Sequence, residues 1–257
     1  MDFFIIVSGI VGLAVGSFLN VAIVRLPARE SVIAPPSRCP RCGARLRWYH
    51  NIPLGSWIAL RGRCAYCDEP ISWQYPIVEA ATAVIWAANA AAYGPTPQAA
   101  RGVVLLTLLF AIAVTDARHY IIPDELSLGG TVAGILLAVA PGHPTLPEAV
   151  VGSVVGGGVL WLVAIVFGWA LKREAMGGGD IKMMTMIGAF LGWKGAFLSI
   201  FLGALAGTLI FVPIALFFRI VHRTEKLVPF GIFLALGAVV AFYLGEPLLA
   251  WYLGGGR

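Results

Sequence analysis

Apolar residues run through this chain in long, nearly uninterrupted blocks, without the alternation or the three-to-four-residue rhythm of half-buried elements. The blocks cover residues 3–24, 77–93, 102–115, 126–140, 149–171, 181–193, 195–218 and 230–244. Several approach the about 20 residues that an α-helix needs to cross hydrocarbon. A helix pairs its own backbone polar groups, so it is the natural form for such a run in a bilayer. The pattern predicts an all-α polytopic membrane protein with about eight transmembrane helices. The first run is preceded by Asp2 and followed by Arg25 and Arg29. That polarity is opposite to a secretory signal peptide, so the run is expected to persist as a helix whose N-terminus faces away from the cytoplasm.

Composition agrees. AVILMFWYC residues make up 59% of the 257, with 31 glycines besides, and only 12% are charged, where an ordinary soluble domain carries about 25%. Mean hydropathy is +0.87. Disorder and nucleic-acid binding are excluded as main readings, so no nucleic-acid partner is expected.

The net charge of +5 therefore reports orientation and contact with anionic lipid. If all eight runs cross, the loops 25–75, 116–125, 172–182 and 219–226 share one side and carry 8, 1, 3 and 3 basic residues. Arg101, Lys194 and Arg257 fall opposite, so 15 of 18 basic residues lie inside, as a correctly threaded chain requires. The run 181–193 is short enough to be re-entrant instead, which would leave 14 inside and 4 outside. The eight-span threading is favoured.

All four cysteines lie in the one long polar loop, as Cys39-Pro-Arg-Cys42 and Cys64-Ala-Tyr-Cys67, with 21 residues between the pairs. Two Cys-x-x-Cys knuckles at this interval are close to zinc-ribbon spacing, each able to offer two thiolates to one tetrahedral ion. Cys39, Cys42, Cys64 and Cys67 are thus candidate ligands of a structural zinc in a small zinc-ribbon-like insertion. Redox pairs or disulfides are the competing reading, disfavoured in a reducing cytoplasm. The loop also holds eight arginines, no lysine, and Trp48, Tyr49, Trp57, Trp73 and Tyr75. That mixture suits the headgroup region of a membrane, and equally a pocket for a small anionic or nucleoside ligand. The expected organisation is a first transmembrane helix (1–24), the four-cysteine domain (25–76) and a transmembrane domain (77–257).

Two acids stand apart from the rest. Asp116 ends the third run, and Asp180 closes Gly177-Gly178-Gly179-Asp180 before the sixth. Two runs separate them, so, provided the fourth and fifth runs both cross, both are expected on one membrane face whichever way the chain is threaded. Ionisable groups at membrane depth are costly, which makes function the default hypothesis. Two carboxyls in close approach hold one proton between them and so provide a base and an acid together. Such a pair can hydrolyse a peptide without a nucleophilic side chain or metal. The glycines would admit an extended substrate backbone; a flexible connector is the plainer account. For the acids the plainer account is helix capping and ion pairs with Arg118 or Lys182. Asp124, after Pro123, is expected to start a helix, Glu79 to pair with an arginine of the cysteine loop, the four histidines to be solvated, and Met183, Met184 and Met186 to pack.

Taken together, the chain resembles the bifunctional prepilin peptidases, membrane aspartic proteases of the Gly-x-Gly-Asp type. The resemblance rests on Gly16-Ser17-Phe18-Leu19-Asn20-Val21, Arg25-Leu26-Pro27, both cysteine pairs, Asn51-Ile52-Pro53, Arg61-Gly62-Arg63-Cys64, Ile71-Ser72, Tyr75-Pro76 and Val78-Glu79. It continues through Asp116, Pro123-Asp124-Glu125-Leu126, the stretch Glu174 to Lys182, and Pro229-Phe230-Gly231. It implies that Asp116 and Asp180 are the catalytic aspartates, with Gly177, Gly178 and Gly179 as substrate-binding residues. It implies as substrates type IV prepilins or type II secretion pseudopilins, cut at the cytoplasmic face of the bacterial inner membrane after a glycine. It further implies N-methylation of the new N-terminus from S-adenosylmethionine, with Gly62 as a methyltransfer residue. The chain departs from the family's usual pattern at His50, Gln74 and Ile232. A proton-coupled transporter with a regulatory zinc module is the alternative of a different class, and a non-catalytic zinc scaffold a third; inverted repeats, which would favour the transporter, are not evident.

Overall fold

The computed structural model describes residues 1–172, 176–218, 230–252 and 254. Glu174, Pro229, Arg257, the loop 219–226 and, within it, the fourth histidine, His222, lie outside the described residues. The order is α1 (Asp2–Arg25), a 3-10 turn (Trp48–Asn51), α2 (Gly55–Ala59), α3 (Gln74–Tyr93), α4 (Pro97–His119), α5 (Asp124–Leu137), α6 (Leu146–Leu171), α7 (Gly178–Phe218) and α8 (Phe230–Tyr252). Among the described residues there is no strand, only isolated bridges at the cysteine knuckles. All eight apolar runs are helical. Among the described residues five helices are long and apolar enough to cross a membrane: α1, α4, α6, α7 over Gly178–Ile210, and α8. The protein is an integral membrane protein.

The sixth and seventh runs are not separated by a loop. They are two helical segments, 178–191 and 193–218, meeting in a kink at Gly192, whose non-helical φ of 68° and ψ of 178° end one segment and begin the next; α7 denotes the pair. The positive φ is one that only glycine adopts at little cost.

The chain divides into two compact units, Met1–Val103 and Val104–Arg257. In the first, α1 lies against α3 at backbone distance. A Cβ on Gly12 would come 2.9 Å from Ala83 Cα, and one on Gly16 would come 2.7 Å from Glu79 Cα. Small residues four apart are what allow helices to approach this closely in lipid, where apolar burial supplies little drive. Asn20, one turn beyond Gly16, donates from Nδ2 to the Tyr75 carbonyl at 3.1 Å. The Gly16-to-Asn20 motif is therefore a helix-pairing device at the start of α3.

In the second unit α7 is the central element, packed by α5, α6 and α8. Its Met183, Met184, Met186 and Ile187 are fully buried, as expected of packing methionines. On α6, Gly152, Gly156 and Gly157 face α7. A Cβ on Gly152 would meet the Gly188 carbonyl oxygen and lie 2.6 Å from the Gly192 carbonyl carbon, and one on Gly156 would lie 2.5 Å from the Met184 carbonyl oxygen. Gly158, one position along, has nothing within 4 Å.

This contrast generates a test. Gly152→Val should destabilise the purified protein by about 1–3 kcal/mol or more through overpacking, read as a lowered thermal midpoint in detergent, whereas Gly158→Ala should leave it unchanged.

Candidate active site and metal centre

Asp116 sits one turn before the end of α4 and is buried, 6% exposed. The backbone N–H groups of Gly231 and Ile232, in the first turn of α8, are directed at its carboxyl. Its Oδ2 is buried without a hydrogen-bond partner among the described residues. A Cβ at Gly231 would stand 2.8 Å from that oxygen, so only a residue without a side chain fits there. Asp180, in the first turn of α7, is half-buried and within electrostatic reach of Asp116. Residues far apart in the chain are thus brought to one place at the ends of α4, α7 and α8.

Lys182 is not a partner of Asp180. Its Nζ donates to Asp124 Oδ1 and Oδ2 at 2.7 and 2.8 Å, joining the start of α5 to the start of α7. Asp124 does open α5, as expected, with Ser127 N–H donating to the Pro123 carbonyl at 3.1 Å. Among the described residues no lysine pairs with the Asp180 carboxyl. The glycines before it differ in surroundings. Gly177 and Gly178 are exposed, whereas Gly179 is packed under Ile122, whose Cβ would be 2.9 Å from a Cβ at Gly179. Ile122 and Gly231 were not distinguished by the sequence as site-forming; their only signal was membership of motifs around Pro123-Asp124 and Phe230.

Glu79 corrects an expectation. No described arginine pairs with it. It is 6% exposed and its Oε2 accepts the Leu54 N–H at 2.8 Å. Leu54 has a left-handed φ of 57°, and its amide, turned inward by that conformation, satisfies the carboxylate. Of the described histidines, His119 and His143 are exposed, as expected, and His50 is half-buried. His50 stacks edge-on against Tyr49 and Tyr66, at 4.5 and 5.6 Å, and His143 pairs with Glu148 at 3.0 Å.

The four cysteine sulfurs all lie within 4.8 Å of one another, and none is in a disulfide. Each knuckle is a tight turn. Cys39 N–H donates to Ala44 O and Gly43 N–H to Cys39 O, repeated as Cys64 N–H to Glu69 O and Asp68 N–H to Cys64 O, between 2.9 and 3.1 Å. Cys39 Sγ and Cys67 Sγ are 3.8 Å apart, the separation of about 3.8 Å that zinc–sulfur bonds of about 2.3 Å give at tetrahedral angles. The Cys42 amide draws the Cys39 thiol down to about 7, toward the thiolate that binds metal. The donor set fits a closed, structural metal site.

Gly62 lies beside the second knuckle at φ 69°. Its N–H donates to Trp57 O at 2.8 Å and its carbonyl accepts Ile71 N–H at 2.7 Å. A Cβ there would be 2.9 Å from Trp57 Cζ2, and Trp57 in turn packs on Trp73 with centroids 4.4 Å apart. The glycine is required by the turn and by the indole above it.

Residues 10–93 match the bacterial peptidase A24 N-terminal domain, and residues 103–212 match the type IV leader peptidase family. A prepilin leader peptidase/N-methyltransferase of Aeromonas hydrophila is 35% identical over 265 residues, covering 94% of this chain and 91% of the relative. The chain belongs to the type IV leader peptidase family. A protein of the same name from Burkholderia pseudomallei is 34% identical, over 93% of this chain and 84% of the relative. One from Myxococcus xanthus is 43% identical over 203 residues, which span 79% of this chain and 58% of the relative. No solved structure matches. Membership makes the chain a peptidase and leaves the transporter alternative without support.

Two outcomes follow from these geometries. Gly231→Ala should lower leader cleavage at least about tenfold by displacing the Asp116 carboxyl, measured as kcat/KM on a purified precursor. Cys39→Ser and Cys64→Ser should each lose stoichiometric metal by elemental analysis; one full equivalent retained in both would refute the four-thiolate centre.

Proposed function

We propose that this protein cleaves the leader of type IV prepilins or type II secretion pseudopilins and then methylates the new N-terminus from S-adenosylmethionine. Asp116 and Asp180 are the catalytic aspartates. The observation that supports this most is their convergence, from separate helices, on a site flanked by Gly179 and Gly231. The pair holds one proton. The ionised carboxyl takes a proton from water as the water attacks the scissile carbonyl. The protonated one donates to the carbonyl oxygen; the C–N bond of the resulting diol then breaks as the first carboxyl gives its proton to the amine nitrogen and the second carboxylate takes one back from a diol hydroxyl, leaving acid, amine and one proton on the pair. Gly177, Gly178 and Gly179 offer backbone to an extended substrate.

Because a prepilin carries an apolar helix directly after its leader, the cut bond arrives at the membrane boundary, where both aspartates stand at helix ends. The basic loops favour the bacterial inner membrane with the cysteine loop and both aspartates on the cytoplasmic side. In this division of labour residues 1–24 anchor, 25–76 hold zinc and carry methyl transfer, and 77–257 form the peptidase. Cys39, Cys42, Cys64 and Cys67 hold the zinc. For the methyl donor, the fit lies in chemistry: an unpartnered buried Trp57 indole N–H among the described residues, exposed Trp48 and Tyr66 rings able to face a sulfonium, and arginines for its carboxylate. S-adenosylmethionine supplies the electrophilic methyl group when bound. Gly62 shapes this turn.

The test incubates full-length enzyme with a purified prepilin and S-adenosylmethionine, reading the product N-terminus by mass spectrometry. Cleavage plus one methyl group is expected, and an intact precursor overturns the reading. Asp116→Asn and Asp180→Asn should each reduce cleavage at least about 100-fold while the protein remains membrane-inserted; full activity in either removes it from the pair.

A further inference from the structure

The helices around Asp180 differ in how much hydrocarbon they can cross. α5 holds 14 residues, about 21 Å at the helical rise, where a bilayer offers about 30 Å of hydrocarbon. The first segment of α7 runs beside it in the same direction. A Cβ on Gly130 would lie 3.0 Å from Met186 Cγ, one on Gly134 would lie 3.0 Å from Ala189 Cβ, and Lys182 reaches Asp124. The two helices therefore start at one height. α6, in contrast, holds 26 residues, about 39 Å, and its stretch 149–171 carries no charge.

α6 runs against the first segment of α7 in the opposite direction. Gly152 faces Gly188, Gly156 faces Met184, and a Cβ on Gly157 would lie 3.6 Å from the Ile181 carbonyl oxygen. Asp180 therefore stands near the height of Leu160, and α6 continues for about 16 Å beyond it. Along that continuation Trp161, Leu162, Ile165, Val166, Phe167 and Trp169 are exposed, an apolar surface suited to lipid. At the height of Asp180, however, α5 exposes charge. The Asp124 and Lys182 side chains are 56% and 41% exposed, and Glu125 beside them is exposed. Toward the membrane interior Leu128, Val132 and Leu136 follow as one outward apolar stripe. Hydrocarbon of full thickness would cover the ion pair, which is costly, and Lys182 cannot stretch up to water while both oxygens of Asp124 hold its Nζ. The lipid gives way more readily, because thinning a bilayer beside a short helix costs only a modest amount per ångström.

We propose that the outer face of α5 is a surface that thins the bilayer. Lipid packed against Leu128, Val132 and Leu136 is shortened by about 10 Å on the site side, and water there reaches down to the Asp124–Lys182 pair. α6 keeps the lipid on its own face at full height. The aqueous boundary thus dips to the level of Asp180. The functional consequence rests on the peptidase reading above: the dip lets the attacking water and a polar leader reach carboxyls that a flat boundary would leave beneath lipid.

The experiment reconstitutes the full-length enzyme in nanodiscs of dimyristoleoyl, dioleoyl or dierucoyl phosphatidylcholine. In dioleoyl discs a hydrophilic maleimide should label the Glu125→Cys variant and spare Trp161→Cys, measured above the background of the native thiols in wild type, although the two positions stand at about one height. Equal labelling of the two, or protection of both, overturns the proposal. For wild type, kcat/KM on a co-reconstituted prepilin should fall at least about threefold from the dimyristoleoyl to the dierucoyl discs, and equal rates in all three lipids also overturn it. A precursor left intact in detergent micelles and in every disc would instead overturn the peptidase reading, while the labelling contrast would still decide the thinning.

Discussion

A buried carboxyl needs donors close to it, and here main-chain amides of a neighbouring helix stand against Asp116 on one side while its Oδ2 has no partner among the described residues. Asp116 ends its helix against the first turn of α8, whose Gly231 and Ile232 amides point at it. The contact is possible because position 231 has no side chain to occupy the 2.8 Å left beside Oδ2. The rest of the second unit serves that approach. If α8 moved outward by the width of a methyl group, Asp116 would lose its amides.

The same device recurs at larger scale. Helices in lipid gain little from burying apolar side chains against one another, so their association depends on close packing and hydrogen bonds. Gly152 and Gly188 put the backbones of α6 and α7 in direct contact, and Gly12 and Gly16 do so for α1 against α3. Close packing of this kind locates α7, and α7 in turn carries Asp180 in its first turn and Lys182 to hold Asp124. The ion pair is partly exposed, and its value lies in registering two helix starts; pairs this exposed contribute little stability.

The cysteine module solves a different problem. A polar loop of this length has too little apolar content to order itself, yet its four sulfurs are gathered by two nearly identical hydrogen-bonded turns. Glu79, an acid of α3 buried against the Leu54 amide, ties the far end of the loop to the helix that follows it. What looked like a charge needing an arginine is a carboxylate satisfied by main chain, because Leu54 adopts a conformation that turns its N–H inward.

Length and apolarity of the runs were enough to establish an all-helical membrane protein, because hydrocarbon allows a lone segment few other ways to pair its backbone. Knuckle spacing was enough to gather four thiols, since each pair is local, and parity of the runs, provided both intervening runs cross, was enough to expect Asp116 and Asp180 on one face. None of these depends on how helices pack. Which groups touch does depend on it: that Lys182 takes Asp124, that Glu79 takes an amide, that Gly192 divides α7 into two helical segments, and that Ile122 and Gly231 pack beside the aspartates. Those outcomes come from approach distances between helices distant in the chain, and a periodic pattern along one helix carries no record of what stands opposite it.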